Sequence, residues 1–113
     1  MATERAERIL AAWLSEGQTE EAVYRPALDG LDARTITVVV HREAVEPLGH
    51  GRAMRFRVTA INDAELGIPA DPSLSDVGAD RIDVAERLGG TAVSRGFQRF
   101  VNQDEDFVVV EVT

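Results

Sequence analysis

Two stretches of the sequence alternate between apolar and polar residues, except that Val39 is apolar at a position where the first pattern would place a polar residue. One covers residues 35–40 and the other covers residues 54–60. Because successive side chains of a strand point to opposite faces, each stretch predicts a half-buried β-strand. The positions predicted to face the core are Ile36, Val38, Val40, Met54, Phe56, Val58 and Ala60.

The last third of the chain is divided by two turn-forming segments, Gly89-Gly90 and 102–106, the second of which reads NQDED. Glycine tolerates positive φ, and Asn and Asp side chains bond to nearby backbone groups. Three strand-like runs remain, Arg81–Arg87, Ala92–Val101 and Phe107–Val112. Their short separations predict an antiparallel meander.

The middle run of this meander does not alternate cleanly. Val93, Phe97 and Val101 share one parity, but Phe100 falls on the other. A bulge near Gly96 or burial of both faces would explain this.

Two further runs predict strands of different kinds. Phe107–Val110 is apolar at every position, which is typical of a strand buried on both faces. Residues 22–24 form a short strand that Pro26 ends, because proline lacks a ladder donor. The segment from His41 to Arg52, rich in glycine and proline, reads as a connection.

Residues 3–16 predict one amphipathic helix, with Thr3 as its N-cap and Gly17 at its end. Its apolar stripe recurs at steps of three and four residues. The stripe consists of Ala6, Ile9, Leu10, Trp13 and Leu14. Such a stripe must cover the domain's own sheet or dock on a neighbouring copy.

Together these elements predict a single, mainly β domain (α+β by count). Residues 1–17 are the N-terminal helix, and residues 18–113 form a small antiparallel β-sandwich or barrel of about 6–7 strands.

The irregular segments are the places where we expect partner binding. Asn62–Val77 is a long excursion in which Asn62 or Asp63 caps one helical turn and Gly67 closes it, and Pro47–Arg52 is a second loop. The candidate protein-interaction residues on the helix and these loops are Leu10, Trp13, Leu14, Leu48, His50, Leu66, Ile68 and Leu74.

Composition excludes several classes of protein. A net charge of −8 opposes non-specific nucleic-acid binding, and the absence of cysteine excludes disulfides and thiol chemistry. Apolar runs are far shorter than the ~20 residues of a membrane span, and the N-terminus does not resemble a secretory signal. The arginines at 81, 87, 95 and 99 line one basic sheet face or, on the plainer interpretation, a solvated face shared with Asp and Glu.

No residue pattern predicts catalysis, a cofactor or a metal. His41 and His50 are the only histidines, and their spacing matches no metal motif. The acidic segment Asp104–Asp106 lacks the glycine and the closing Glu of a calcium loop, so we interpret it as a charged hairpin turn. We therefore expect a non-enzymatic protein.

The order of motifs from Tyr24 onward resembles a known family. A YRPA turn (Tyr24–Ala27) precedes the strands ITVVVHRE and MRFRVTAIND, and these are followed by GADRIDV, a Gly-Gly turn, GFQRFV, a QDED turn and FVVVEV. This order is similar to that of the lambda-type head–tail joining (tail-attachment) proteins of tailed bacteriophages and prophages. The family's G-D pair is here Gly78-Ala79-Asp80, and its turn glycine is replaced by Glu105.

The resemblance implies a structural protein that forms a ring homo-oligomer and docks with portal, connector or tail proteins. It also implies a place in the host cytoplasm during assembly and in the virion neck afterwards. A tail terminator or other neck protein is the nearest alternative. A small bacterial β-domain that binds a peptide or small ligand through an open sheet edge is an alternative of a different class.

Overall fold

The structure is a computed structural model of residues 2–15, 17, 19–27, 32–45, 53–63, 65–70, 79–87 and 89–113. In this part of the chain, six β-strands form a closed antiparallel barrel, and one helix lies against its outer face. The predicted mainly β fold with an N-terminal helix is confirmed. The elements are α1 (Ala2–Ser15), β1 (Glu20–Arg25), β2 (Arg34–Val45), β3 (Ala53–Ile61), β4 (Arg81–Ala85), β5 (Ala92–Gln103) and β6 (Phe107–Val112).

The barrel closes through a short seam between β1 and β4. The strand order is β1-β2-β3-β6-β5-β4, and β1 returns to pair with β4 from Val23↔Asp83 to Arg25↔Arg81. On the outer surface of the seam, Arg25 donates to Asp83 at 2.8 Å. The predicted meander corresponds to β4, β5 and β6, which pair antiparallel in sequence order.

The barrel interior is filled by the alternating apolar residues of all six strands. The predicted inward positions of β2 and β3 are confirmed, with Val40 only partly buried and the side chain of Met54 outside the described residues. The main core consists of Ala22, Tyr24, Ile36, Val38, Phe56, Val58, Ala60, Ile68, Ile82, Val84, Phe97, Val108, Val110 and Val112.

Two predicted boundaries are wrong. β2 continues through His41 to Val45, residues predicted to belong to a connection, because β3 pairs with them as far as Val45↔Ala53. The helix begins at Ala2, so Thr3 lies within it and not before it. Gly17 adopts φ 74° just beyond the helix, the left-handed geometry that suits a helix end.

β5 departs from the predicted alternation because its register shifts twice against β6, between Phe97 and Arg99 and between Phe100 and Asn102. These shifts turn both Phe97 and Phe100 toward the core. Val101 lies in the second shift and is 36% exposed, whereas Val93 is 49% exposed near the start of the strand. The expectation of a bulge was right in kind, but the bulges follow Gly96 and are not centred on it.

β6 is buried on one face and only half-buried on the other, so the predicted two-sided burial is wrong. Val108, Val110 and Val112 point into the barrel. Phe107 and Val109 lie on the outer face and remain partly exposed. Helix α1 covers the Phe107 end of the strand through Trp13, with ring centroids 5.3 Å apart.

Aspartate side chains organise two turns, as predicted. Oδ1 of Asp104 accepts hydrogen bonds from the amides of Asp106 and Phe107, both at 2.8 Å, and builds the β5–β6 hairpin turn. Oδ2 of Asp63 accepts from the amides of Glu65 and Leu66 at 2.9 and 2.8 Å. This second turn directs the chain back over the barrel.

Residues 65–70 cover the end of the barrel at which β3 finishes. Ile68 is completely buried among the core side chains, and its amide donates to the carbonyl of Ile61 at 3.0 Å. A Cβ at Gly67 would overlap the backbone of Ile61, so this crossing requires glycine. The carbonyl of Gly67 accepts a 2.7 Å hydrogen bond from Arg34.

A buried polar pair lies inside the seam. Asp80 is fully buried, and its carboxylate accepts from the Tyr24 hydroxyl at 2.6 Å and from the amide of Ala27 at 2.8 Å. Burial raises the pKa of the Tyr24 phenol, and the hydrogen bond to Asp80 raises it further. The Tyr24 ring stacks on Phe97 with centroids 5.7 Å apart, so one side chain joins the seam to the core.

We expect Phe97→Ala to destabilise the protein by about 3–5 kcal/mol, because it leaves a cavity among tightly packed core side chains. Val101→Ala is the matched control on the same strand and should cost less than about 1 kcal/mol, because Val101 is 36% exposed. Urea denaturation measures both. Equal losses in the two variants would show that the β5 faces are assigned wrongly.

We expect Tyr24→Phe to cost about 1–3 kcal/mol, because it keeps the stacked ring but removes a hydrogen bond to a fully buried carboxylate. Chemical denaturation measures the loss. A variant as stable as the wild type would mean that this hydrogen bond does not help to hold the seam.

The amides of Phe107 and Asp106 hold the pKa of Asp104 below its ordinary value of 3.8. The ionised turn therefore adds stability that is complete above pH 3.8 and is lost as pH falls through the lower folded-state pKa. Asp104→Asn should accordingly lower the urea midpoint at neutral pH, and the difference should shrink in acid. Glu105→Gln removes a neighbouring charge as a control. A pH-independent difference would contradict this origin of the stability.

Candidate functional site

Helix α1 packs on the outside of the barrel through a small apolar cluster of its own. Ala6 and Leu10 are buried against Ile61 of β3, and Trp13 packs on the same cluster. This cluster is separate from the barrel interior. The apolar stripe therefore covers the protein's own sheet, the first of the two possibilities that the sequence left open.

An ion pair fixes the first turn of α1 to the β5–β6 hairpin. Arg5 lies 2.7 Å from Asp106, and its side chain is about half exposed. The hydrogen bond to Asp106 raises the pKa of Arg5, and the negative charge of that carboxylate adds to the effect. Exposed ion pairs contribute little to stability, so apolar packing is the main attachment of the helix.

The helix leaves apolar surface uncovered on both of its sides. One side is a groove of ≈270 Å³, which we call the α1 groove, lined by Glu7, Leu10, Ala11, Thr37, Ile61 and Leu66. Leu66 lies at the edge of the α1 groove, and 43% of the residue is exposed. A second depression of ≈430 Å³ contacts Trp13, Val39 and Thr59. Exposed apolar patches of this kind are typical of protein-binding surfaces.

The predicted interaction residues divide into three groups. Leu66, Leu10 and Trp13 lie at or beside the grooves, although Leu10 is largely buried and Trp13 is half-buried. Ile68 is completely buried in the core, so its assignment to an interaction surface is wrong. The remaining predictions, the Leu14 side chain and Leu48, His50 and Leu74, lie outside the described residues.

The arginines at 81, 87, 95 and 99 do not form one basic face. Arg81 bonds the hydroxyl of Ser94 at 2.7 Å, and Arg99 pairs with Glu111 at 3.1 Å. Arg95 lies opposite Ile82, a core residue, and therefore faces the barrel interior. The plainer interpretation, in which arginines mix with acidic residues, describes the outer face best around Glu111.

The inward orientation of Arg95 is a feature that sequence reasoning missed. Its guanidinium carbon lies 4.0 Å from the centre of the Phe56 ring, a cation–π contact at the end of the barrel interior. Arg42 of β2 reaches the same end, where it bonds both carboxylate oxygens of Glu20 at 2.9 and 2.7 Å. Residues two apart on a strand share a face, so the sequence position of Phe97 on the inner face already predicts that Arg95 lies on the same face.

The described residues do not assemble any recognisable metal centre. Among them, no group of His, Asp and Glu is arranged to hold a metal ion. His41 is exposed on β2 and lies opposite Arg57, and His50 lies outside the described residues. What the surface does present is two partly apolar depressions beside α1.

No helix in the described part of the chain is long and apolar enough to cross a membrane. Comparison with known proteins found no family model, no curated protein and no solved structure that matches this chain.

Proposed function

We propose that this protein is a non-enzymatic assembly component that joins the head of a tailed bacteriophage or prophage to its tail. It acts by docking, first with further copies of itself in a ring and then with portal, connector or tail proteins. The observation that carries the proposal is the α1 groove, where Leu66 remains 43% exposed beside an apolar depression. The order of motifs from Tyr24 to Val112 supports it.

A closed barrel is rigid, which suits an assembly component that must keep its shape when force acts on it. Every strand has two neighbouring strands in the sheet, and core side chains fill the interior. Function then lies in the surfaces that this rigid body carries. Burying the 43% of Leu66 that is exposed would stabilise a contact by about 1 kcal/mol, a contribution that a ring repeats at every contact.

A ring of identical copies also needs two different surfaces on each copy, because its contacts are heterologous. The α1 groove provides one such surface, and the exposed ends of the barrel provide others. The same reasoning applies to a tail terminator or another neck protein, which stays the nearest alternative.

The binding-module alternative has less support from the barrel geometry. It requires an open sheet edge, but the sheet closes on itself through β1 and β4. In the described pairing, residues 34–38 of β2 pair with β1 alone and residues 39–45 pair with β3 alone, so each half of β2 has one side without a paired strand. A peptide strand would have to bind there.

The test is self-association, measured by size-exclusion chromatography with light scattering and by sedimentation velocity. We expect the wild type to form a ring-sized species and Leu66→Arg to weaken its assembly about tenfold or more, because a charge would be buried in an apolar contact. Val101→Arg is the matched control, since Val101 is also an exposed apolar residue but lies away from the groove. The control should assemble normally.

Two outcomes would contradict the proposal. A strict monomer that captures a small ligand would favour the binding module. A ring that tolerates Leu66→Arg as well as Val101→Arg would remove the α1 groove from the assembly interface.

A further inference from the structure

The end of the barrel at which β5 begins carries a third, larger groove. We call it the mouth groove; it measures ≈880 Å³ and is lined by Glu86, Arg87, Gly89, Gly90, Thr91, Val93 and Arg95. Arg95 belongs to β5, and one face of its guanidinium group packs against the Phe56 ring. Arg87 is exposed in the turn above it, and Val93 adds an apolar wall that is 49% exposed.

The two arginines that face this end of the barrel differ in how their charge is balanced. Arg42 has a carboxylate partner, Glu20, 2.7 Å away. The described hydrogen bonds of Arg95 go to backbone carbonyls instead, to Val84 at 2.8 Å and to Thr113 at 3.1 Å. Burial lowers the pKa of Arg95, which shows that its charge is held in partly desolvated surroundings.

A partly desolvated cation held by neutral acceptors attracts an anion strongly, because water screens it less than an exposed charge. Arg87 adds a second positive charge to the groove, and Glu86 offsets one of the two. The groove thus carries one net positive charge on a chain of net charge −8. The groove therefore fits a carboxylate group next to an apolar wall.

The opposite end of β5 carries the complementary charge. The turn after Gln103 contains Asp104, Glu105 and Asp106 in succession. Asp106 pairs with Arg5, and Oδ1 of Asp104 accepts two backbone hydrogen bonds, so Glu105 is the carboxylate that a partner can reach most readily. Hydrogen bonds from Asn62 to the carbonyls of Asp106 and Asp104, at 2.9 and 2.7 Å, bring the loop that follows β3 against this turn. That loop adds the carboxylates of Asp63 and Glu65 beside the turn.

The acidic turn of a copy cannot reach the mouth groove of the same copy. From Arg95 in the groove to Asp104 in the turn the chain runs nine residues along β5, about 30 Å of extended strand. The two surfaces can therefore meet only between molecules. Such a contact joins the front of one copy to the back of the next, which is the heterologous arrangement that closes into a ring or extends as a filament.

We propose that the mouth groove of one copy binds the acidic β5–β6 turn of a second copy, with Arg87 and Arg95 facing Glu105 and its neighbours. This inference rests on the proposed assembly function and identifies a second contact within it. Charge complementarity steers and orients the contact, and Val93 excludes water at its edge.

A charge-reversal experiment tests the contact with two full-length variants. Arg87→Glu makes the groove acidic, like the turn that it would bind, and Glu105→Arg places a positive charge in the turn, opposite the groove arginines of the next copy. Both positions are exposed, so each variant should fold. Either variant alone should self-associate at least about tenfold more weakly than the wild type, because like charges would meet. An equimolar mixture should recover association, since every contact in an alternating assembly is again complementary.

Arg8→Glu and Glu43→Arg are the matched controls, because they make the same net-charge changes at exposed positions that line neither of these surfaces nor the α1 groove. Sedimentation velocity at equal protein concentrations should show wild-type association for both. Loss of association in the controls, or a mixture that stays dissociated, would overturn the inference.

The result also separates this inference from the function on which it rests. An assembly that Leu66→Arg disrupts but that Arg87→Glu and Glu105→Arg leave intact would overturn the electrostatic contact alone. A wild-type chain that stays monomeric at every concentration would overturn both.

Discussion

The pairing of β1 with β4 is the constraint on which the rest of the structure depends, because it turns a curved sheet into a closed barrel. The seam is short, from Val23↔Asp83 to Arg25↔Arg81. It is reinforced on both surfaces, by the Arg25–Asp83 ion pair outside and by the Tyr24–Asp80 hydrogen bond inside. The inner bond is the more important of the two, since a buried carboxylate without its donor is costly whereas an exposed ion pair contributes little.

Closure also decides which surfaces remain for function. Because closure gives every strand two neighbours, the outer face and the two ends of the barrel are the main surfaces that a partner would contact. One end is filled by Ile68 and the crossing that carries it. At the other end the interior finishes in Arg42, Arg95 and Glu20, which makes that end polar. Helix α1 occupies part of the outer face and defines the remaining apolar surface.

Much of the fold was predictable because alternation is a local property. β2 and β3 show their inward faces directly in the sequence, and the turns at Asp63 and Asp104 follow from the tendency of aspartate to bond nearby amides. β5 was less predictable, since its register shifts depend on how it pairs with β6. The burial of Ile68 depends on a loop crossing the barrel, which no local pattern of residues reveals.

The candidate site was predictable in part for the same reason. Leu66 and Trp13 could be selected as large apolar residues in a loop and a helix, but their grooves exist only once α1 is placed on the barrel. Arg95 lies two residues before Phe97, so strand alternation places both side chains on the inner face of β5. Arginine is rarely buried, however, and the sequence therefore favoured a solvent-exposed position for it.

Gly67 has a consequence for how a partner would meet this protein. Its tight approach to Ile61 fixes the backbone between Leu66 outside and Ile68 inside, and Arg34 holds its carbonyl. Leu66 is therefore preorganised: its backbone has already lost its conformational entropy during folding and need not lose it again on association. A bulkier residue at position 67 would release that crossing, and the affinity of docking would fall even though no contacting side chain had changed.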